Sequence, residues 1–225
     1  MQTAVTQPIK QFLYKSIHGA FKIGDFWNGI PNYEHRSKCS ACTEDTESME
    51  HIMVECTKSH QNLLWTLAKE LWPNSEQEWP TISIGTILGC GAQENTNKGP
   101  DAKTAGRSRL LRILISETAH LIWTTRCSQA INGTEFTPKT IAKRWHNAIE
   151  KRLAIDRTHM KNKKLIKPKD IKKILHTWTG TLYNENSLPY DWAERHEVLV
   201  GIKPPRSSAY RGHQAAHESH TPRTP

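Results

Sequence analysis

The sequence has no long hydrophobic run. None of its apolar stretches approaches the roughly 18 consecutive residues that a membrane-spanning helix requires. Its first residues, MQTAVTQPIKQF, lack the basic region followed by an apolar run that marks a secretory signal. Hydrophobic residues make up 36% of the chain and the mean hydropathy is -0.67, which is low for one compact core. We therefore expect an intracellular chain, nuclear or cytoplasmic, that has exposed helices and no membrane partner.

The sequence also lacks the motifs of common enzyme classes. It has no Gly-rich phosphate-binding loop and no G-x-S-x-G elbow. Its acids lie in polar helical or loop stretches, whereas two-metal phosphoryl chemistry needs several converging carboxylates. Glu117 and His120 are one helical turn apart, and a hydrogen bond on the helix surface explains that spacing better than a catalytic dyad does. We predict that the chain is not an enzyme and has no small-molecule substrate.

Cysteine is scarce, yet three of the 5 cysteines fall between residues 39 and 56. In a reducing compartment such a cluster indicates a metal site rather than disulfides. The predicted ligands of this site follow the pattern Cys39-x2-Cys42-x8-His51-x4-Cys56. Zinc prefers four such ligands in a tetrahedron, and because no position is left for water, the predicted Zn²⁺ is structural. His60 is an alternative to His51 as the fourth ligand, and His35 is a weaker one.

The spacing of the second ligand pair places a condition on the site. His51 and Cys56 are five residues apart, which is about 140° around an ideal α-helix. The helix must therefore fray or end near Cys56 for both side chains to reach one ion. We do not expect this segment to bind phosphate directly, because four negatively charged residues lie near the cluster: Glu44, Asp45, Glu47 and Glu50.

The net charge of +9 is distributed unevenly along the chain. Residues 31–80 carry 9 acids and 4 Lys or Arg, whereas residues 137–176 carry 3 acids and 13 Lys or Arg. Binding of RNA or DNA through the second region is one interpretation, because phosphate contacts tolerate many sequences. A lysine-rich helix surface that serves only solubility is the other. The candidate nucleic-acid-binding residues are Lys139, Lys143, Arg144, Lys151, Lys161, Lys163 and Lys164.

Apolar residues recur at steps of three and four, which predicts a mainly α fold. The predicted helices cover residues 8–20, 59–72 and 108–130, followed by one opened by Thr137-Pro138 and one opened by Pro168. Residues 80–91 fit a short strand or a short helix, and 92–106 read as a linker. We expect residues 8–73 to hold the first helix and the zinc-binding loop and helix. Residues 80–202 would form a basic helical bundle or hairpin, and 203–225 a disordered tail.

Several segments of the sequence resemble the C-terminal region of fungal non-LTR retrotransposon polyproteins, the Tad-like or LINE-type elements. They include FLYKSIHGAFKIGDFW, IPNYEHRSKCSACTEDTESMEHIMVEC, SIGTILGCG, SRLLRILISETAHLIWTTRC and SLPYDW, and they span roughly residues 9–202. In that family a zinc-binding segment follows the reverse transcriptase and RNase H domains. The family's E-H-I-x-x-x-C pattern matches Glu50, His51, Ile52 and Cys56, so the resemblance favours His51 over His60.

The resemblance carries the family's binding functions but not its catalysis. The paired aspartates of the polymerase and the carboxylates of RNase H are missing from this sequence. The resemblance therefore implies that this chain is a zinc-binding fragment of the polyprotein and that it binds RNA or DNA. The alternative is a scaffold that packs against an RNase H or reverse transcriptase domain without touching nucleic acid.

Overall fold

A computed structural model describes residues 4–42, 46–73, 78–91, 101–161, 167–195 and 197–205. Within these ranges the fold is mainly α-helical, as predicted, and β-pairing is limited to isolated bridges. The predicted tail lies outside the described residues from 206 onward. The α-helices are α1 (Gln7–Ile17), α2 (Gln61–Leu71), α3 (Ile84–Gly89), α4 (Ala102–Asn132), α5 (Pro138–Lys161) and α6 (Pro168–Trp178).

The predicted starts of α5 and α6 are confirmed. The Thr137 hydroxyl accepts a hydrogen bond from the Thr140 amide at 3.2 Å, so it caps α5 before Pro138. Helix α6 begins at Pro168 and ends at Trp178. The chain turns two residues later at Gly180, whose φ of +85° is strained for any other residue type.

The boundaries of three other helices differ from the prediction: α1 covers residues 7–17 instead of 8–20, α2 covers 61–71 instead of 59–72, and α4 covers 102–132 instead of 108–130. Helix α4 begins at Ala102 because the Asp101 carboxylate accepts a hydrogen bond from the Thr104 amide at 2.7 Å, so the linker prediction is wrong from residue 102 onward. The ambiguous segment 80–91 contains a short helix, α3. Helix α1 stops at Ile17, whose side chain is exposed rather than part of the apolar face.

Helices α4 and α5 form the predicted antiparallel hairpin. The Arg144 guanidinium, near the start of α5, donates to the Thr125 hydroxyl near the end of α4. About two turns further back along α4, the Trp145 indole donates to the Thr118 hydroxyl at 2.9 Å. Paired positions therefore run in opposite directions along the two helices. The short connection from residue 133 to 137 is long enough to join two antiparallel helices.

A buried ion pair joins α4, α5 and α6. The Arg109 guanidinium donates two hydrogen bonds to the Asp156 carboxylate, at 2.6 and 2.7 Å. The Trp178 indole donates to the same carboxylate at 2.8 Å. Close packing of α4 on α6 depends on Gly106, because a Cβ there would lie 2.6 Å from the Cβ of His176. One hydrophobic core thus connects helices from both predicted regions, 8–73 and 80–202.

Candidate metal centre

The four predicted ligands lie together in the structure. One potential ligand atom from each of Cys39, Cys42, His51 and Cys56 lies within 4.8 Å of the others. The Cys39 and Cys56 sulfurs are 3.8 Å apart, and the Cys42 sulfur is 3.4 Å from Nε2 of His51. A tetrahedral zinc with Zn–S bonds of 2.3 Å separates two sulfurs by about 3.8 Å. The spacing therefore suits a tetrahedral ion, and the cluster can hold a metal.

The local backbone meets the angular condition on His51 and Cys56. Residues His51–Glu55 form a single π-helical turn, closed by a hydrogen bond from the Cys56 amide to the His51 carbonyl at 2.9 Å. This i to i+5 bond brings the two residues closer to one side of the turn than an α-helix would. The helix then ends at Cys56, which has extended backbone angles. The prediction that the helix ends near Cys56 is confirmed.

Two contacts adjust the ligand chemistry. The hydrogen bond from the Cys39 thiol lowers the pKa of the Cys56 thiol to about 7. The same contact, with burial, raises the pKa of Cys39 to about 12. A bound ion would displace the proton between the two sulfurs, since metal ligands must be thiolates. On His51, Nδ1 faces the Glu55 carboxylate at 4.0 Å, the side on which metal-ligating histidines commonly meet a carboxylate.

His60, the alternative ligand, lies elsewhere. Its Nε2 is 2.9 Å from the backbone carbonyl of Phe136, in the connection between α4 and α5. It is buried, and it is not part of the four-residue cluster. His35, the weaker alternative, stacks near the Tyr33 ring on an exposed turn. The arrangement of the described residues favours His51.

An anchor that the sequence did not predict fixes the metal segment to α4. Glu47 is buried, and both of its carboxylate oxygens accept hydrogen bonds from Arg126. The backbone amide of Glu47 also donates to the Ser37 carbonyl at 2.8 Å. In the sequence Glu47 is only one of four acids near the cluster. Its pairing with Arg126 is not visible there, because 79 positions separate the two residues and charged side chains are usually exposed.

The candidate nucleic-acid-binding residues do not form one cluster. Lys139, Lys143 and Lys151 are exposed and follow one another along α5 at steps of four and eight residues, so they spread over about 120° of its solvent-facing side. Arg144 is half-buried, and its guanidinium lies 4.6 Å from the centre of the Phe136 ring. Lys161 ends α5, but its side chain lies outside the described part of the structure, as do Lys163 and Lys164.

Glu117 and His120, the pair of α4 residues one turn apart, contact different helices. The Glu117 carboxylate faces Arg152 of α5 at 3.5 Å, and the ring of His120 packs edge-on against Phe12 of α1. Among the tryptophans, Trp145 and Trp178 are buried in the helical core, whereas Trp123 is half-buried and lies near the metal segment.

Comparisons with known proteins give no family to this chain: no family model, no curated protein and no solved structure matches it. In the described ranges, no helix combines the length and apolar character that crossing a membrane requires.

Proposed function

We propose that the chain is a zinc-stabilised module that binds nucleic acid and does not itself catalyse a reaction. The observation that carries this proposal is the convergence of three cysteines and one histidine on a site the size of one tetrahedral ion. A thiolate-rich tetrahedral set suits zinc better than calcium or magnesium, which prefer oxygen ligands. Four protein ligands leave no open position, so the zinc would act in folding.

The exposed lysines of α5 support the nucleic-acid half of the proposal. Lys139, Lys143 and Lys151 share one solvent-facing side of the helix. Lysine ammonium groups in such a row attract a phosphate backbone without reading its sequence. The resemblance to the C-terminal region of retrotransposon polyproteins points the same way, since that region accompanies domains that handle RNA and DNA. We therefore propose RNA or DNA as the partner.

The proposal is tested by anisotropy of a labelled oligonucleotide titrated with the zinc-loaded chain between about 50 and 200 mM salt. We expect binding that weakens steeply with salt. Reversing Lys139, Lys143 and Lys151 to Glu should reduce the slope of log K against log salt by about 3. The matched control reverses three exposed lysines elsewhere, Lys10, Lys15 and Lys69, and should change the slope much less. No binding at low salt, or a flat salt response, would refute nucleic-acid binding.

The scaffold alternative has its own supporting observation. Tyr14 and Ile17 on α1 are 65% and 58% exposed, and side chains of this type at a surface suit a protein contact. Under this alternative the surface packs against an RNase H or reverse transcriptase domain. Replacing both residues with Ser should then weaken co-purification with such a domain and leave oligonucleotide binding unchanged.

A further inference from the structure

A groove of ≈ 780 Å³ lies between the 21–40 segment and the C-terminal third of α4. It borders the metal segment, since Cys39 and Ser40 are among the residues that line it. Three rings, Phe21, Trp27 and Trp123, and three cations, Lys22, Arg36 and Lys38, also line it. Neither Asp nor Glu occurs among its described lining residues, although acids are common in this half of the sequence.

The aromatic lining of the groove is held in place by other contacts. The centres of the Phe21 and Trp123 rings are 4.1 Å apart. The Arg126 guanidinium, already bound to Glu47, lies 5.6 Å from the centre of the Trp123 ring. Trp27 is fixed separately, because its indole N–H donates to the Lys22 carbonyl at 2.9 Å. The groove therefore presents ring surfaces whose positions are set before any ligand arrives.

Cations of the groove lie near rings inside and outside its lining. Arg36 lies 5.2 Å from the centre of the Trp27 ring, which lines the groove, and 4.9 Å from that of Tyr33, which does not. Lys22 lies 5.3 Å from the centre of the Phe26 ring, which also lies outside the lining. Lys22, Arg36 and Lys38 are all exposed. The charge of Arg126 is balanced by Glu47, so these three residues supply the positive charge that a ligand would meet.

Aromatic rings flanked by cations suit one class of ligand. Bases stack on aromatic side chains whatever their identity, while lysine and arginine track the backbone phosphates. Only a single strand offers both features together, because a duplex keeps its bases stacked on one another. An apolar protein segment would match the rings but would leave the three cations without partners, and an acidic peptide would leave the rings unused.

We infer that this groove, formed by the 21–40 segment and α4, binds a single strand of RNA or DNA through base stacking and phosphate contacts. The inference rests on the proposed nucleic-acid-binding function and adds a second surface with a strand preference. The lysines of α5 contact phosphates of either a single strand or a duplex. The groove accounts for preference between the two.

The test measures the ratio of single-strand to duplex affinity for the zinc-loaded full chain. The probes are oligo(U), oligo(dT) and a mixed-sequence duplex, each about 12 nucleotides long, within the usual range for one binding surface. We expect the chain to bind both single strands more tightly than the duplex. Trp27→Ala should weaken single-strand binding roughly tenfold, the size typical of losing one stacked base, and leave duplex binding unchanged.

Two milder variants guard against misfolding. Arg36→Gln keeps a long polar side chain and Trp27→Phe keeps a ring, and bound zinc is measured in every variant. Arg36→Gln should lower the affinity ratio, whereas Trp27→Phe should largely preserve it. The matched comparison is the α5 triple reversal, which should weaken both probe types and leave the ratio unchanged.

The outcomes separate this inference from the proposed function. If the parent chain binds no probe at low salt, the proposed function fails and the groove assignment falls with it. Equal affinity for single strand and duplex would overturn the groove assignment while nucleic-acid binding stands. The same holds if zinc-replete Trp27→Ala and Arg36→Gln both keep the parent ratio. A preference for oligo(U) over oligo(dT), or the reverse, that both variants abolish would support the groove and identify its natural strand.

Discussion

The two arms that bring ligands to the metal site differ in what holds them. The second arm carries His51 and Cys56, and its intervening residues Ile52 and Met53 are buried in the helical core. Side chains from α2 fix its backbone: the Trp65 indole donates to the Met53 carbonyl and the Gln61 amide to the Cys56 carbonyl, both at 2.8 Å. Apolar burial and these bonds stabilise this arm whether or not an ion is bound.

The first arm, which carries Cys39 and Cys42, is less buried in its described residues, which exclude 43–45. Ser40 and Ala41 are exposed. An isolated bridge between Lys38 and Thr46 closes the arm next to Glu47, which Arg126 anchors to α4. The difference between the arms shows where an ion would contribute. Zinc would order the first arm onto a second arm that is already formed, so its loss should be local.

The largest expected effect follows from removing a ligand in the first arm. Cys42→Ser removes one ligand, and the variant should lose the single equivalent of zinc expected for the parent. Structural zinc sites have apparent binding free energies of about 10–16 kcal/mol in small peptides, and this energy is spent on ordering the ligands. Amide exchange should therefore accelerate across residues 38–42, whereas residues 51–56 and α4 should stay protected. Metal analysis and hydrogen exchange by mass spectrometry measure both effects.

Histidine variants provide the control for that experiment. His60→Ala should keep its zinc and lose about 1 kcal/mol of stability through the lost bond to Phe136. His51→Ala should lose the metal. The ligand assignment is wrong if His60→Ala loses zinc while His51→Ala retains it. Exchange that accelerates equally in both arms after metal loss would contradict the difference drawn between them.

The contrast between the arms also explains what the sequence could and could not reveal. Spacing alone found Cys39 and Cys42, because two thiolates three positions apart form a known zinc-binding turn. Spacing left His51 and His60 both open, and it was the resemblance that favoured His51. The π-helical turn that brings His51 and Cys56 together is a departure from α-geometry that side-chain periodicity does not encode. The Glu47–Arg126 pair and the groove beside it depend on tertiary proximity across 79 positions. Helix α4 began earlier than expected because Asp101 caps a polar first turn, which hydrophobic spacing does not mark.

The second prediction concerns the helical core, where Arg109 and Asp156 join α4, α5 and α6. A substitution there should leave the metal in place. Asp156→Ala removes the partner of Arg109, whose side chain is 4% exposed, and leaves a buried charge without compensation. Loss of one member of a buried pair costs about 3–5 kcal/mol. For a chain of this size we expect Tm to fall by about 10 °C, with zinc content unchanged.

A surface ion pair supplies the matched control. Asp191 accepts from Arg195 at 2.7 Å, but the Arg195 side chain is 47% exposed. Asp191→Ala should therefore cost less than about 1 kcal/mol. Equal losses of stability in Asp156→Ala and Asp191→Ala would show that burial of the first pair does not matter. Loss of zinc in Asp156→Ala would show that the core and the metal segment are not separable.

The smallest expected effect is a difference in pH response between the helical core and the metal segment. Burial raises the pKa of Glu117 to about 7, well above its ordinary value of 4.5. The folded state therefore binds this proton more tightly than the unfolded state, and stability falls as pH rises toward and through 7. Between pH 6 and 8 the loss amounts to about 1 kcal/mol. Zinc binding has the opposite trend, because protons compete for its thiolates as pH falls.

Glu117→Gln isolates this contribution, since it removes the titrating proton and keeps the side-chain size. Denaturant unfolding of zinc-loaded parent and variant at pH 6, 7 and 8 gives the difference in their free energies of unfolding. That difference should shift by about 1 kcal/mol in favour of the variant as pH rises. A constant difference across this range would mean that Arg152, at 3.5 Å, keeps the Glu117 carboxylate ionised throughout. Stability of the helical part would then owe nothing to this proton.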